Sequence, residues 1–243
     1  MFPRFMHAFY LIAAAFSVSL AAGEQREETL AGERLTLEEV FYGDFPGGIE
    51  KWQAEGDAKT GLNEGWLEVD ATAGKVKAAT IWCRHEFTGE QLVEYDFRLA
   101  AGSVQSNINM FLLASREGGL LESGGTRNGS YGQYHEFPNY LITLLNGTEN
   151  QDRQELLRLR MRLNPGFTLD DERWFEPLAF GRVYHVAYLV QPPMVTVYLD
   201  GRPLVRTLYN EKLERGFHGL RTWHTHLYYD NFRVGRVRAS GKD

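Results

Sequence analysis

Residues 183–208, VYHVAYLVQPPMVTVYLDGRPLVRTL, decide the fold. The runs VYHVAYLV and MVTVYL are rich in β-branched and aromatic residues, and the second ends on Asp200-Gly201 before RPLVRTL. Asp-Gly between two such runs is a hairpin signal, because both residues tolerate the positive φ of a tight type I′ turn. The stretch therefore reads as successive antiparallel strands. Outward from it the pattern recurs in GWLEVDA, TIWCRHEF, QLVEYDFRLA, NINMFLLAS, YLITLLN and LLRLRMRL, each bounded by Gly, Pro, Asn or Asp, and the chain closes on GLRTWHTHLYYDNFRVGRV. No long segment with a 3.6-residue period competes. Many short strands around one core predict an all-β chain folded as a two-sheet antiparallel sandwich of jelly-roll type.

The first residues, MFPRFMHAFYLIAAAFSVSLAAG, carry Arg4, a short apolar run over 8–20 and small residues at Ser19, Ala21 and Ala22. This is the pattern of a signal peptide over residues 1–22, and the run is shorter than the roughly 20 residues a membrane crossing needs. The expected location is therefore secreted or periplasmic, with no membrane attachment after cleavage. A charged segment follows over 23–38, EQREETLAGERLTLEE within it, and is expected to hold a short helix before a first strand near Glu39 to Tyr42. Residues 39–239 then form one sandwich domain, expected to be a monomer, of a size common for all-β units.

Cys83 is the only cysteine, so no intramolecular disulfide forms, and IWCRHEF places it in a strand as a small hydrophobe. The formal charge of −6 argues against a nucleic-acid partner, for which a basic domain is expected. Neither a phosphate-cradling glycine loop nor a Gly-x-Ser-x-Gly elbow is present.

The chemistry concentrates in RNGSYGQYHEFPNY, residues 127–140, which gathers Arg127, Tyr131, Gln133, Tyr134, His135 and Tyr140. An imidazole near neutrality takes a proton and a phenol returns one. On a regular strand neighbouring residues face opposite ways, so a register with His135 in a cleft adds Gln133 and Tyr131 and turns Tyr134 inward with Glu136. The next strand, LLRLRMRL, buries Leu157, Leu159, Met161 and Leu163 and aligns Arg158, Arg160 and Arg162 on its other face. Aligned guanidinium groups grip carboxylate or sulfate oxygens in pairs, although a solvated strand face has the same pattern. Asn107 and Asn109 share a face with Phe111, and Arg221 shares one with Trp223; Asn107, Asn109, Arg221 and Trp223 are candidate sugar contacts. His224 and His226 have the spacing of a metal-binding strand without a third ligand nearby, so no metal site is assigned. No cofactor is expected; a structural calcium stays open, since sandwich proteins can bind one through clustered oxygens, although no loop here declares such a site.

The order NINMFLL, RNGSYGQYHEFPNYLITLL, RLRMRLNPGF, VTVYLDGRPL and GLRTWHTHLYYDNFRV resembles the YesU-like family of bacterial proteins, a domain of unknown function, over about residues 41–237. The most specific pieces are Tyr131 to Tyr140, the turn Asn164-Pro165-Gly166-Phe167 and the closing Tyr229-Asp230-Asn231-Phe232. The resemblance implies a concanavalin-A-like sandwich and an exported protein tied to the use of pectin and other uronate polysaccharides. It also implies Tyr131, Tyr134, His135 and Tyr140 as site-forming positions, without assigning their roles.

β-Elimination in a uronate polymer needs a base, an acid and groups that stabilise the developing enolate. His135 with Tyr131 or Tyr140 meets the first two needs. Asn107, Asn109, Arg127, Gln133, Tyr134, Arg158, Arg160, Arg162, Arg221 and Trp223 are the candidate substrate contacts. The leading expectation is a polysaccharide lyase acting on an acidic polysaccharide. Two alternatives stay open: a sugar-binding module without catalysis, and a glycoside hydrolase pairing Glu136 with Asp170 or Glu172.

Overall fold

The computed structural model describes residues 23–123, 127–144 and 156–238; the expected signal peptide lies outside these. Sixteen strands form two antiparallel sheets. One sheet runs in the order β1 (Gln25–Leu30), β2 (Glu33–Gly43), β16 (His226–Arg238), β7 (Gln91–Leu99), β12 (Val183–Gln191), β13 (Met194–Leu199) and β14 (Arg202–Leu208). In it β5 (Trp66–Asp70) also pairs with β16, and β4 (Lys59–Asn63) with β5. The other sheet runs β11 (Thr168–Phe175), β10 (Leu157–Asn164), β9 (Asn139–Thr143), β8 (Asn107–Ala114), β15 (Arg215–Trp223), β6 (Ala78–Thr88) and β3 (Trp52–Gly56). The predicted hairpin is present: Asp200 and Gly201 take φ of 49° and 73° between β13 and β14.

The N-terminal charged segment is no helix. It is the β1–β2 hairpin, paired from Gln25↔Glu38 to Leu30↔Glu33, and β2 joins β16. Charge density hid a two-residue period. Leu30, Leu35 and Leu37 pack with Leu92, Ala187, Leu189 and Tyr198, while Arg26 pairs with Glu28 and Glu94.

Alternation places the core between the sheets. Ile108, Met110, Leu112, Ile142, Leu159, Met161 and Leu220 meet Val93, Tyr95, Phe97, Val186, Tyr188, Phe232 and Val234. Full burial of each large side chain stabilises by about 1.5–3 kcal/mol, so this layer supplies most of the driving force. Cys83 lies within it, its thiol pushed up to about 12 by burial.

A second, smaller core covers part of the outer face of the β11-to-β3 sheet. Trp82, Phe111 and Leu141, which follow one another across that sheet through Gly219, pack under Leu120, Tyr134 and Phe137 from the connection between β8 and β9. Gly219 is required there by close approach: a Cβ would lie 2.5 Å from the Trp82 ring. Gly219→Ala is therefore expected to lower stability by about 1–3 kcal/mol through overpacking. Urea unfolding measures this as a lower midpoint at unchanged slope; an unmoved midpoint would mean that Trp82 has room to yield.

Candidate functional site

The segment that concentrates the chemistry is not the expected strand. Residues Tyr131–Tyr134 form a 3-10 turn. Local side-chain bonds bend it: Ser130 N donates to Asn128 Oδ1 at 3.0 Å, and Asn128 N to Gln133 Oε1 at 3.0 Å. The turn brings the Tyr131 and His135 rings together at 4.4 Å and sends Tyr134 into the small outer core. Glu136, expected to turn inward with Tyr134, is exposed.

Tyr134 is buried, and its hydroxyl donates to Glu55 Oε2 at 3.0 Å. The same carboxylate takes Arg127 in a paired grip, with Nε at 2.9 Å and Nη2 at 2.5 Å. Arg127 also donates to Leu120 O and Ser123 Oγ. It is thus a clamp tying the connection to β3, and it does not face the cleft as a substrate contact should. Gln133 is occupied with Asn128 outside the cleft lining. Tyr140 is also displaced from its expected role. On β9 it points into the inter-sheet core, accepts from Asn210 N at 2.6 Å, and has its phenol pushed up to about 12 by burial.

Beside the small core a cleft of about 620 Å³ opens on the sheet's outer face, lined by Asn107, Tyr131, His135, Arg158, Arg160, Arg221 and Trp223 together with Val76, Ser130 and Phe167. Arg160 and Arg221 of this lining belong to a row of polar residues that crosses all seven strands in register: Glu172, Arg160, Thr143, Asn109, Arg221, Thr80, Glu55. Asn109 lies beneath the surface. It donates to Thr143 Oγ1 at 2.8 Å and accepts from Arg221 Nη1 at 3.1 Å.

Arg221 is 2% exposed, donates Nη2 to Gly129 O at 3.0 Å, and faces the rings of Tyr131 and Tyr134 at 4.7 and 5.9 Å. It forms no ion pair with a carboxylate among the described residues, its Nε has no hydrogen-bond partner, and burial draws its pKa down to about 10. Arg160 is drawn down to about 10 as well, by burial and then by Arg158 and Arg162. Arg158 lies 3.6 Å from Glu172 and over the Trp174 ring, and Arg162 stands over Phe167 at 4.3 Å, beside the cleft.

His135 stacks on Phe167 at 4.0 Å and 24° and meets Tyr131 edge to face at 4.4 Å. Its Nε2 is buried without a partner. Burial, then Arg221 and Arg162, push its pKa down to about 4, so the imidazole is neutral at pH 7. The Tyr131 hydroxyl lies 3.2 Å from Thr143 Oγ1. The cleft therefore sets a neutral imidazole and a phenol among three guanidinium groups, with no carboxylate in its lining. Glu136 borders a separate depression with Ser115, Arg116 and Glu117, and Asp170 accepts from Thr207, so the expected carboxylate pairs do not assemble in one cleft. His226 binds Glu68, and among the described residues no group of three His, Cys, Asp or Glu is placed to hold a metal ion. Sequence reasoning missed Val76, Ser130 and Phe167; Ser130 lay in the 127–140 stretch and Phe167 in the Asn164–Phe167 turn, both already singled out, whereas no motif marked Val76.

Two antiparallel sheets in this arrangement define a sandwich of the galectin-like and concanavalin-A-like class. Within that class the chain belongs to the family described as a domain of unknown function, DUF6250, whose profile matches residues 74–232. A comparison with curated proteins gives no match. The fold is similar to a protein of unknown function with a galectin-like fold from Bacillus subtilis, with a TM-score of 0.71, 16% identity, and coverage of 89% of this chain and 100% of that one. It is similar to the carbohydrate-binding module CBM66 from Bacillus subtilis (TM-score 0.52, 12% identity, 76% and 95% covered). It is also similar to an endo-β-1,3-glucanase from Pyrococcus furiosus (TM-score 0.58, 11% identity, 88% and 99% covered). At these identities the likeness is one of fold.

The clamp gives a direct test of where Arg127 acts. Arg127→Ala strands the Glu55 carboxylate in a buried site and is expected to cost about 3–5 kcal/mol of stability in urea unfolding. A loss below about 1 kcal/mol, the range of an exposed pair, would return Arg127 to the solvent-facing cations.

Proposed function

We propose that the protein is an exported carbohydrate-active protein whose cleft binds the carboxylate-bearing sugar of an acidic polysaccharide and cleaves the chain by β-elimination. The observation that carries this reading is the charge of the cleft: among the described residues Arg158, Arg160 and Arg221 line it, Arg221 is buried without a counter-ion, and no carboxylate joins them. A desolvated guanidinium selects an anion over a neutral hydroxyl. The fold's likeness to a carbohydrate-binding module and a glucanase supports a sugar ligand, and the YesU-like segments are in keeping with a uronate.

In this reading Arg221 and Arg160 hold the uronate carboxylate, and the His135 imidazole takes the proton from the carbon α to it. The electron pair forms a carbon–carbon double bond as the bond to the glycosidic oxygen at the β carbon breaks. Tyr131 returns a proton to that oxygen. The guanidinium groups stabilise the enolate between these events. One observation favours binding without cleavage: a base held near pKa 4 is weak.

The test is ultraviolet absorbance of the conjugated unsaturated uronate across a panel of polyuronates. His135→Ala is expected to lower the rate on the order of 10²–10⁴-fold while binding persists. Because the base must be deprotonated in the free protein, kcat/KM should rise with pH through about 4 and then level. Retardation by a polyuronate gel without new absorbance would make the protein a binding module, and retention on neutral glucans alone would overturn the anionic reading.

A further inference from the structure

The turn after β10 carries an observation that neither the row of polar residues nor the acid–base pair explains. Phe167 is a non-glycine residue at φ 56°, in the left-handed region that a bulky side chain avoids. Such a conformation persists where surrounding bonds over-determine it. Here Phe167 N donates to Asn164 Oδ1 at 3.2 Å, and Asn164 Nδ2 donates to Asn139 Oδ1 at 3.1 Å. Asn139 Nδ2 then donates to the carbonyls of Tyr134 and Phe137 at 3.1 and 2.8 Å, on either side of His135. Asn139 and Asn164 are both buried and are register partners across β9 and β10. Two amides thus lock the turn that bears Phe167 to the loop that bears His135.

The ring delivered by this lock touches three groups. It stacks on His135 at 4.0 Å, meets Tyr131 edge to face at 5.9 Å and lies under the Arg162 guanidinium at 4.3 Å. We propose that Phe167 is the positioning residue of the cleft: its ring fixes the His135 imidazole dry and correctly turned for proton transfer, and holds Arg162 beside it. The inference rests on the elimination reading above. The charged and titratable groups around His135 are Arg221 from β15, Arg160 and Arg162 from β10, and Tyr131 from its own loop. Among the described residues no carboxylate lines the cleft to raise its basicity, and the Phe167 ring stacked on the imidazole contributes to the burial that lowers it.

Phe167 also borders the small outer core, and a purely structural ring would affect stability alone. The experiment is therefore an NMR titration of His135 in the unliganded protein, paired with elimination kinetics, for wild type, Phe167→Gly, Phe167→Ala and Phe167→Tyr. Glycine is the key variant, since it removes the ring at a φ that glycine adopts freely and so keeps the turn. In Phe167→Gly and Phe167→Ala the His135 pKa should rise from about 4 toward the ordinary imidazole value of about 6.5. Their kcat should fall roughly tenfold or more with KM held within about twofold, and Phe167→Tyr should restore both. An unchanged His135 titration in Phe167→Gly overturns the proposal. Absence of unsaturated product from wild type sinks the elimination reading instead, and the titration then decides the positioning of His135 by itself.

Discussion

A guanidinium buried without a counter-charge is the constraint on which the cleft depends. Removing Arg221 from water is costly, and only Asn109, the Gly129 carbonyl and two tyrosine faces offset it. Each of those partners is in turn fixed by something else: Asn109 by Thr143, Tyr134 by Glu55, and Tyr131 by Thr143 and the rings around it. Every side-chain partner of the uncompensated charge is thus itself held by a second contact.

The molecule treats its other buried charges in the opposite way. Arg127 meets Glu55 in a paired grip. On the far sheet, Arg26 meets Glu94 and stands near Glu39, and His185 is clasped between Glu94 and Asp96. Although burial opposes it, hydrogen bonds from those two carboxylates lift His185 to about 9. Compensated charge is thus the rule among these pairs, and its suspension at Arg221 is the feature on which the anionic reading rests.

What could be read from the sequence follows from the two-residue period. Arg158 and Arg160, Asn107 and Asn109, and Arg221 with Trp223 lie on true strands, so alternation alone put them on faces of the sheet. Residues 131–135 broke the period through side-chain bonds to the backbone, and Gln133 left the cleft and Glu136 faced solvent accordingly, while Tyr134 turned inward as alternation had it. Arg127 was illegible for a different reason, its partner Glu55 being 72 residues away. The N-terminal hairpin misled because charge outweighed its alternating leucines. Phe167 sat in the recognised Asn-Pro-Gly-Phe turn, but only the Asn139–Asn164 pairing across two strands aims its ring at His135.

The weak base and the unpaired cation answer one another. Burial is the largest cause of the depression of His135, and Arg221 is the next. An anion seated on Arg221 cancels that second cause and adds an opposite charge near the imidazole, so basicity rises only when a carboxylate-bearing sugar is bound. A neutral sugar leaves the imidazole as weak as in the empty cleft. On the elimination reading, charge recognition and proton abstraction are then one event, with the cleft's selectivity expressed in the chemical step as well as in affinity.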